Sequence, residues 1–296
     1  MRVAVVSVVF FGLCALMAPT PHAQGGRKVY ISVDLEGISG VTGDDQTSAG
    51  QPEYGRSRKL MAEDANAAIR GAVAGGATEV VVNDSHGGQR NLLPEDLDPR
   101  ARLFSHSFKR HGMMEGLDDT FDSVLFIGYH AKADAPRGLF AHTGSGVVRD
   151  LELNGVSVGE GGMNAALAAW HGVAVALVTG DDAAVDEVKT IVPGIKAVAV
   201  KRAINTRAVE SLSLAEAHRL IEAGAKESVA AARKPAPVRR GPYRVTMRFR
   251  TVVIPEIMSA FAEMTRPAPD SLSFQRDAMP EAYRLIRVLY RYVDAN

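Results

Sequence analysis

The chain has 296 residues, and its 34 lysines and arginines balance its 34 aspartates and glutamates, so the formal net charge is zero. With 46% hydrophobic and 23% charged residues, the composition excludes an intrinsically disordered protein. Because the charge is balanced, no basic field steers the chain towards nucleic acid or an acidic membrane surface, and we expect neither as a partner.

The N-terminus has the pattern of a secretory signal peptide at residues 1–23. Arg2 precedes an apolar run over residues 3–17, and a segment rich in small residues and proline ends at Ala23. The run is shorter than the ~20 residues that a membrane span needs. The single cysteine, Cys14, lies inside this run, so the chain has no intrachain disulfide. We therefore expect an exported protein, periplasmic or secreted, with no membrane attachment after cleavage.

From Lys28 onward, short apolar runs rich in β-branched residues alternate with alanine-rich stretches that suit helices. This alternation is typical of βαβ units, and near-continuous apolarity indicates strands buried on both faces. The pattern predicts an α/β fold in which a parallel-rich sheet is flanked by helices (α/β/α), over residues 27–199. The predicted strands are 29–33, 79–83, 123–129 and 173–179, and the predicted helices are 56–74 and 162–171.

Two further segments depart from the βαβ pattern. Residues 151–158 alternate in polarity around Asn154-Gly155, which predicts a β-hairpin. Beyond residue 199 the sequence predicts a helix over 214–232, a strand over 243–249 and a last helix over 280–293. We interpret residues 200–296 as a smaller C-terminal α+β lobe.

Acidic residues follow the first predicted strand directly. Asp34 and Glu36 lie two positions apart, so in an extended chain they share a side with Cα atoms roughly 6.5 Å apart. Two carboxylates so placed repel each other unless a cation lies between them. Such a pair can bridge and cap two divalent ions roughly 3.5–4 Å apart. Alone, the pair would also suit a solvated loop.

Histidines follow the next two strands. His86 comes after the second strand and His130 after the third, and parallel strands bring their carboxyl ends to one edge of a sheet. A mixed set of carboxylates and imidazoles suits zinc, with manganese or cobalt as further possibilities. Glu160 opens the helix after the hairpin, and His142 lies in a glycine-rich loop. Either could be an ordinary surface residue by itself.

Five motifs in order resemble the zinc-dependent D-aminopeptidase family, which comprises self-compartmentalising metallopeptidases. The resemblance covers residues 28–207, with weaker similarity to the C-terminus. The motifs are Ser32-Val33-Asp34-Leu35-Glu36-Gly37-Ile38-Ser39-Gly40, Val82-Asn83-Asp84-Ser85-His86, Glu115-Gly116-Leu117-Asp118, Gly128-Tyr129-His130-Ala131 and Val158-Gly159-Glu160.

The resemblance implies two zinc ions per chain, with Asp34 bridging them and His142 as the catalytic histidine. It further implies hydrolysis of short peptides that carry a D-residue such as D-Ala at the amino terminus, and a homo-oligomer, a decamer of stacked pentamers. The predicted export differs from the cytoplasmic setting associated with the family. The five implied metal ligands are Asp34, Glu36, His86, His130 and Glu160.

The chemistry can also be argued from the residues. Two zinc ions polarise a scissile carbonyl and lower the pKa of bound water towards 7. The leaving amine then needs a proton, which a histidine supplies readily near neutral pH. From the sequence, His142 could be that proton donor, a stabiliser of the oxyanion, or a nucleophile.

Three other functions remain open at this stage. Gly155-Val156-Ser157-Val158-Gly159 matches the G-x-S-x-G motif of serine hydrolases, but Ser157 falls in a hairpin arm rather than a strand-to-helix turn. Another exported binuclear metallohydrolase would keep the same five ligands. A non-catalytic metal-dependent binding protein would need the ligands but no proton donor such as His142.

Charged residues near two later strand ends have two interpretations each. Lys201 and Arg202 could hold a substrate carboxylate or carbonyl, or be solvated. Asp181 and Asp182 could orient a ligand histidine or cap the helix that follows them.

Overall fold

The computed structural model describes residues 26–293, so the predicted signal peptide and Cys14 lie outside the described residues. This part of the chain forms eleven strands and six α-helices. The strands are β1 Arg27–Val33, β2 Ala77–Asp84, β3 Ala101–Phe104, β4 Ser123–Tyr129, β5 Val148–Leu153, β6 Val156–Ser157, β7 Ala174–Asp181, β8 Lys196–Ala203, β9 Val209–Ser211, β10 Tyr243–Phe249 and β11 Ser271–Arg276. The helices are α1 Tyr54–Ala74, α2 Glu160–His171, α3 Asp182–Ile191, α4 Leu214–Ala231, α5 Val253–Met258 and α6 Met279–Arg291.

The larger sheet has seven strands in the order β3-β2-β1-β4-β7-β8-β9, and every pair except β8–β9 is parallel. Its central strands are buried on both faces, as their apolar sequences predict. In β1, for example, Val29 packs with α1 and α4 while Tyr30 packs with the core on the other side, and both are fully buried. The predicted α/β/α class is confirmed.

Helices cover both faces of this sheet. On one face, small residues let α1 lie close to α4: a Cβ at Gly71 would be 2.2 Å from the carbonyl oxygen of Glu222. On the other face lie α2 and α3, and α6 packs against α2. Within residues 26–293, no helix has the length and apolarity to cross a bilayer.

A second, four-stranded antiparallel sheet has the order β11-β10-β5-β6. Two strands of this second sheet precede residue 199 and two follow it. Strand β8 belongs to the larger sheet, and helix α4 packs on a face of that larger sheet. The predicted division at residue 199 therefore does not separate the two sheets, and the domain boundaries stay a prediction. The hairpin β5–β6 is confirmed: Asn154 and Gly155 have φ of 53° and 81°, as a two-residue turn of this type requires.

Predicted element bounds agree with the structure to within two residues for helices α1, α2, α4 and α6 and for strands β1, β2, β4, β7 and β10. Strand β5 begins three residues before the predicted hairpin. The sequence did not predict β3, β9, β11 or α5. These elements are short, and none of them carries a long apolar run that would distinguish it from a loop.

Candidate metal centre

Three neighbouring strands deliver the predicted ligands to one edge of the larger sheet. Asp34 follows β1, His86 follows β2 by two residues, and His130 follows β4 directly. Because β2, β1 and β4 are adjacent and parallel, their carboxyl ends coincide. Glu36 lies in the turn after β1, and Glu160 is the first residue of α2.

Two glycines let the ligand-bearing turns stack by their main chains. A Cβ at Gly37 would lie 2.1 Å from the carbonyl oxygen of Tyr129, and one at Gly128, where φ is +73°, would lie 2.3 Å from that of Asp34. Any side chain there would force the turns apart. Gly37 N–H instead donates to the carbonyl of Gly128 over 2.8 Å, which joins the two turns.

The five residues form two triads that share Asp34: Asp34, Glu36 and His86, and Asp34, His130 and Glu160. Asp34 Oδ1 faces the first triad, 3.4 Å from His86 Nδ1, and Asp34 Oδ2 faces the second, 3.4 Å from His130 Nε2. His130 Nε2 is also 3.4 Å from Glu160 Oε2. One carboxylate thus presents an oxygen to each of two potential cation positions.

Hydrogen bonds to carbonyls fix which nitrogen of each histidine faces the triads. His86 Nε2 lies 2.7 Å from the carbonyl of Thr47, and His130 Nδ1 lies 2.9 Å from that of Ala131. A carbonyl only accepts, so these nitrogens carry protons and donate. In the neutral rings, His86 Nδ1 and His130 Nε2 therefore keep lone pairs that point at the carboxylates, as metal-binding imidazoles require.

The donor set fits divalent cations. Asp34 Oδ2 and His130 Nε2 are buried and have no hydrogen-bond partner within residues 26–293, an arrangement that costs about 1–3 kcal/mol per group unless a ligand satisfies them. Two donors bound to one tetrahedral zinc at ~2.0–2.1 Å lie about 3.4 Å apart. That separation is found between Asp34 and each histidine and between His130 and Glu160, whereas His86 Nδ1 lies closer, 2.8 Å, to Glu36 Oε2.

The negative charge of the three carboxylates at the site also favours bound cations. Burial would raise the pKa of Glu36, but His86, with His130 and His142, holds it well below its usual range. Burial would lower the pKa of His86, but Glu36 and Asp34 hold it well above the usual value for histidine. Burial acts on His130 in the same way, and there Glu160 and Asp34 hold the pKa well above the usual value. Without metal, the carboxylates therefore keep the imidazoles of His86 and His130 protonated. These protons supply the positive charge that bound cations would otherwise supply.

His142 completes the group. Its ring stacks on that of His130 with centroids 4.1 Å apart, and with Glu36 and His130 it forms a third cluster of potential ligand atoms. Its Nδ1 donates to the carbonyl of Phe140 over 2.8 Å, so Nε2 faces the cavity, 3.7 Å from Glu160 Oε1. Its side chain is 27% exposed, against 2–11% for the side chains of the five predicted ligands. The structure thus brings all six predicted site residues together.

The sequence missed the residues that close this site. A cavity of about 90 Å³ is lined by four of the five predicted ligands, all except His130, and by residues of α6. Tyr290 packs on Gly144, where a Cβ would meet its ring at 2.7 Å, and this glycine donates its N–H to Glu160 Oε1 over 2.6 Å. No motif marks α6, because its residues reach the site only through tertiary packing. The α6 residues in the cavity wall are Arg287, Tyr290 and Arg291.

Neither interpretation of Lys201 is correct. It is almost fully buried, and its ammonium donates to the carbonyls of Glu36 (2.7 Å), Ile38 (3.1 Å) and Val41 (2.6 Å). Lys201 thus supports the turn that carries Glu36. Burial lowers its pKa to about 8, against the opposing effect of Asp181 and Asp64.

Asp64, which is fully buried, holds the same turn from α1. Its carboxylate accepts from Ser39 N–H (2.9 Å) and Ser39 Oγ (2.5 Å), and His218 Nε2 lies 3.2 Å from its Oδ1. Side chains from α1, α4 and β8 therefore converge on the turn that follows β1.

Asp181 caps α3, with its carboxylate accepting from Ala184 N–H and from Leu139 N–H. The second bond fixes the segment before His142, but no hydrogen bond of Asp181 reaches a ligand histidine. Asp182 accepts from Arg137 and from Ala203 N–H, and Arg202 is exposed beside Glu210.

Ser157 does not form a nucleophile elbow. It lies at the end of β6, three residues before α2 begins, and its hydroxyl is bonded to Lys132 Nζ and Asp150 Oδ1 at 2.5 Å each. Ser157 does not line the cavity that contains the predicted ligands. The G-x-S-x-G match therefore reflects the hairpin and its glycine turns.

Comparisons with known proteins agree with this site. A family model described as Peptidase_M55, D-aminopeptidase, matches residues 27–288. The chain is similar to a D-aminopeptidase of Bacillus subtilis (strain 168), with 45% identity over 194 residues, 66% of this chain and 70% of the relative. Among solved structures it is similar to the Zn-dependent D-aminopeptidase DppA from Bacillus subtilis, a self-compartmentalizing protease, with a TM-score of 0.84 and 36% identity, covering 91% of this chain and 100% of that one.

Proposed function

We propose, on the premise that this chain belongs to the D-aminopeptidase family, that it removes an N-terminal D-residue such as D-Ala from short peptides at a site that holds two zinc ions. Its class as a zinc-dependent aminopeptidase, a hydrolase of peptide bonds, follows from the family. The D-residue, the number of zinc ions and the roles of individual residues are parts of the proposal.

The observation that carries the two-zinc proposal is the position of Asp34 between the two triads. Its two carboxylate oxygens face different imidazoles, each 3.4 Å away. Glu36 and His86 would hold one ion, His130 and Glu160 would hold the other, and Asp34 would bridge them. Both histidines have their second nitrogen bonded to a carbonyl, so each ring is already oriented for coordination.

Bound zinc supplies an electrophile for the scissile carbonyl and lowers the pKa of bound water, so that hydroxide is available near neutral pH. The protein must supply a proton to the leaving amine. We assign this task to His142, because its Nε2 faces the cavity while Nδ1 is fixed by the carbonyl of Phe140. Glu160 Oε1 lies 3.7 Å from this nitrogen, at the edge of the cavity.

We further propose that the protein is exported through residues 1–23 and that it works as a homo-oligomer, a decamer by the family resemblance. The similar solved protein is described as self-compartmentalizing. An apolar patch around α5 supports an interface, because four large side chains there are exposed and monomeric proteins rarely expose such clusters. The patch consists of Val252, Val253, Ile257 and Phe261.

The proposal is tested by amine release from D-Ala-D-Ala and L-Ala-L-Ala with the purified mature protein, with zinc measured in the same sample. We expect turnover of the D-peptide, about two zinc ions per chain, and loss of activity on chelation that added zinc restores.

Chelator-sensitive turnover of the L-peptide alone would overturn the D-residue assignment. Turnover of neither peptide by a protein with two zinc ions per chain would overturn the substrate class while keeping the metal centre. Saturation at one zinc ion per chain would overturn the bridging role of Asp34.

A further inference from the structure

The wall of the cavity opposite the metal centre contains a buried positive charge. Arg287, in α6, is 4% exposed and lines the same cavity as Asp34, Glu36 and His142. Within residues 26–293, no carboxylate oxygen lies within 4.0 Å of its guanidinium. Arginine stays protonated in proteins, and burying its charge without a counter-ion is unfavourable. An anionic ligand in the cavity would remove that cost.

The guanidinium is held in place by neutral groups. Nη2 lies 3.2 Å from the hydroxyl of Tyr292 and 3.4 Å from Oε1 of Gln89, and the guanidinium carbon is 5.6 Å from the centre of the Tyr292 ring. Nη1 lies against Gly112, where a Cβ would be 2.1 Å away. Nε is buried and has no hydrogen-bond partner in the described part of the chain. The group is thus oriented. The buried Nε does not open on the cavity, so the donors left for a ligand are those of Nη1, which has no hydrogen-bond partner within residues 26–293.

The surroundings do not neutralise this charge. Lys109 donates to Asn83 Oδ1 and to the carbonyl of Asp84. Burial and the positive charge of Arg287 lower the pKa of Lys109 to about 8, against the opposing effect of Asp84. Arg291, also in the cavity wall, is exposed one turn further along α6. This side of the cavity is therefore electropositive, whereas the metal side carries three carboxylates.

We infer that Arg287 binds the free terminal carboxylate of a short peptide whose scissile bond lies at the metal centre. The inference rests on the proposed aminopeptidase function. A dipeptide carries a carboxylate one residue beyond the scissile bond, and the planar guanidinium matches a carboxylate with two parallel hydrogen bonds.

The test compares D-Ala-D-Ala with D-Ala-D-Ala amide, which lacks the carboxylate, in the wild type, in Arg287→Met and in Arg284→Met. Arg284 is the matched control: it lies on the same helix, is exposed, and does not line this cavity. We expect the wild type to prefer the free acid by about 10–100-fold in kcat/KM, the range of hydrogen bonds between charged groups. Arg287→Met should raise KM for the acid by a similar factor, leave the amide within about threefold, and keep the zinc content.

Several results separate this inference from the proposed function. Equal hydrolysis of acid and amide by the wild type would overturn the role of Arg287 and leave the aminopeptidase function standing. Equal losses on both substrates in Arg287→Met would likewise overturn it, because a structural role affects both. Release of D-alanine from neither substrate by the wild type would overturn the proposed function itself.

The wild-type comparison needs no variant, so the inference stays testable even where Arg287→Met does not fold. Arg287→Lys offers a second route, since it keeps the charge but loses the planar pair of donors. We expect it to weaken binding of the acid less than Arg287→Met does, again without affecting the amide. A Lys variant that hydrolyses the acid as poorly as the Met variant while sparing the amide still supports direct recognition, whereas losses on both substrates contradict it.

Discussion

Replacing Lys201 by methionine should loosen the turn that carries Glu36. The ammonium uses all three of its donors on this turn, at the carbonyls of Glu36, Ile38 and Val41. Methionine has a similar length and suits a buried site, but it donates no hydrogen bond. The variant therefore removes the hydrogen bonds and leaves most of the packing in place.

The expected magnitude follows from two opposing contributions. In the variant, the carbonyl of Ile38 still accepts a hydrogen bond from the N–H of Val41, so losing its bond to Lys201 costs about 1.5 kcal/mol. The carbonyls of Glu36 and Val41 are left without a donor, at a cost of about 1–3 kcal/mol each. Against this, the fall in the pKa of Lys201 from 10.5 to about 8 means that burial disfavours the charged amine by about 3 kcal/mol. The difference is a net loss of about 2 kcal/mol.

Guanidinium chloride unfolding of the zinc-free variant would measure this loss, and titration against a competing chelator would measure zinc affinity. We expect zinc affinity to fall about 10–100-fold, as it does when a group that orients a metal ligand is removed. Arg202→Met is the matched control, because Arg202 is exposed and pairs only with Glu210, an interaction worth about 0–1 kcal/mol. Equal stability and zinc affinity in the two variants would refute the positioning role of Lys201.

Three further predictions concern the site and its support. His142→Ala should lower kcat about 100-fold or more while zinc content, measured by atomic absorption, stays unchanged; full activity would refute its catalytic role. Asp34→Asn should reduce the bound zinc from about two ions per chain to one or fewer, and retention of both would exclude bridging. Asp64, by its hydrogen bond and charge, raises the pKa of His218, so the pair stabilises the fold fully below pH ~6.5 and the effect is lost as the pH rises through the higher folded-state pKa. His218→Gln should flatten the pH dependence of the unfolding free energy above pH ~6, and unchanged slopes would contradict this.

The sequence predicted the ligands because their signal is local. Asp34, His86 and His130 lie at or just beyond the end of an apolar run, and parallel pairing brings such ends together, whereas Glu160 was assigned only by the family resemblance. The hairpin was equally predictable, since Asn154-Gly155 specifies its own turn. In each case a few consecutive residues determine the structure.

Lys201 and Arg287 could not be predicted in the same way. Their partners lie far away in sequence: Lys201 and Glu36 are 165 positions apart, and Arg287 and Gln89 are 198 positions apart. A charge beside a strand or on an amphipathic helix is usually solvated, and only tertiary packing shows that these two are buried. The second sheet was also unpredictable as a unit, because it joins strands from both sides of residue 199.

The last helix closes the cavity without contributing any of the predicted metal ligands. Those ligands all lie between Asp34 and Glu160, whereas the opposite wall comes from residues 287–291. If Arg287 recognises the substrate as proposed, reactivity and substrate choice are encoded in separate stretches of the chain. Substitutions in α6 would then change which peptides are accepted while the hydrolytic centre is preserved, so a new specificity could evolve, or be engineered, by changing this helix alone.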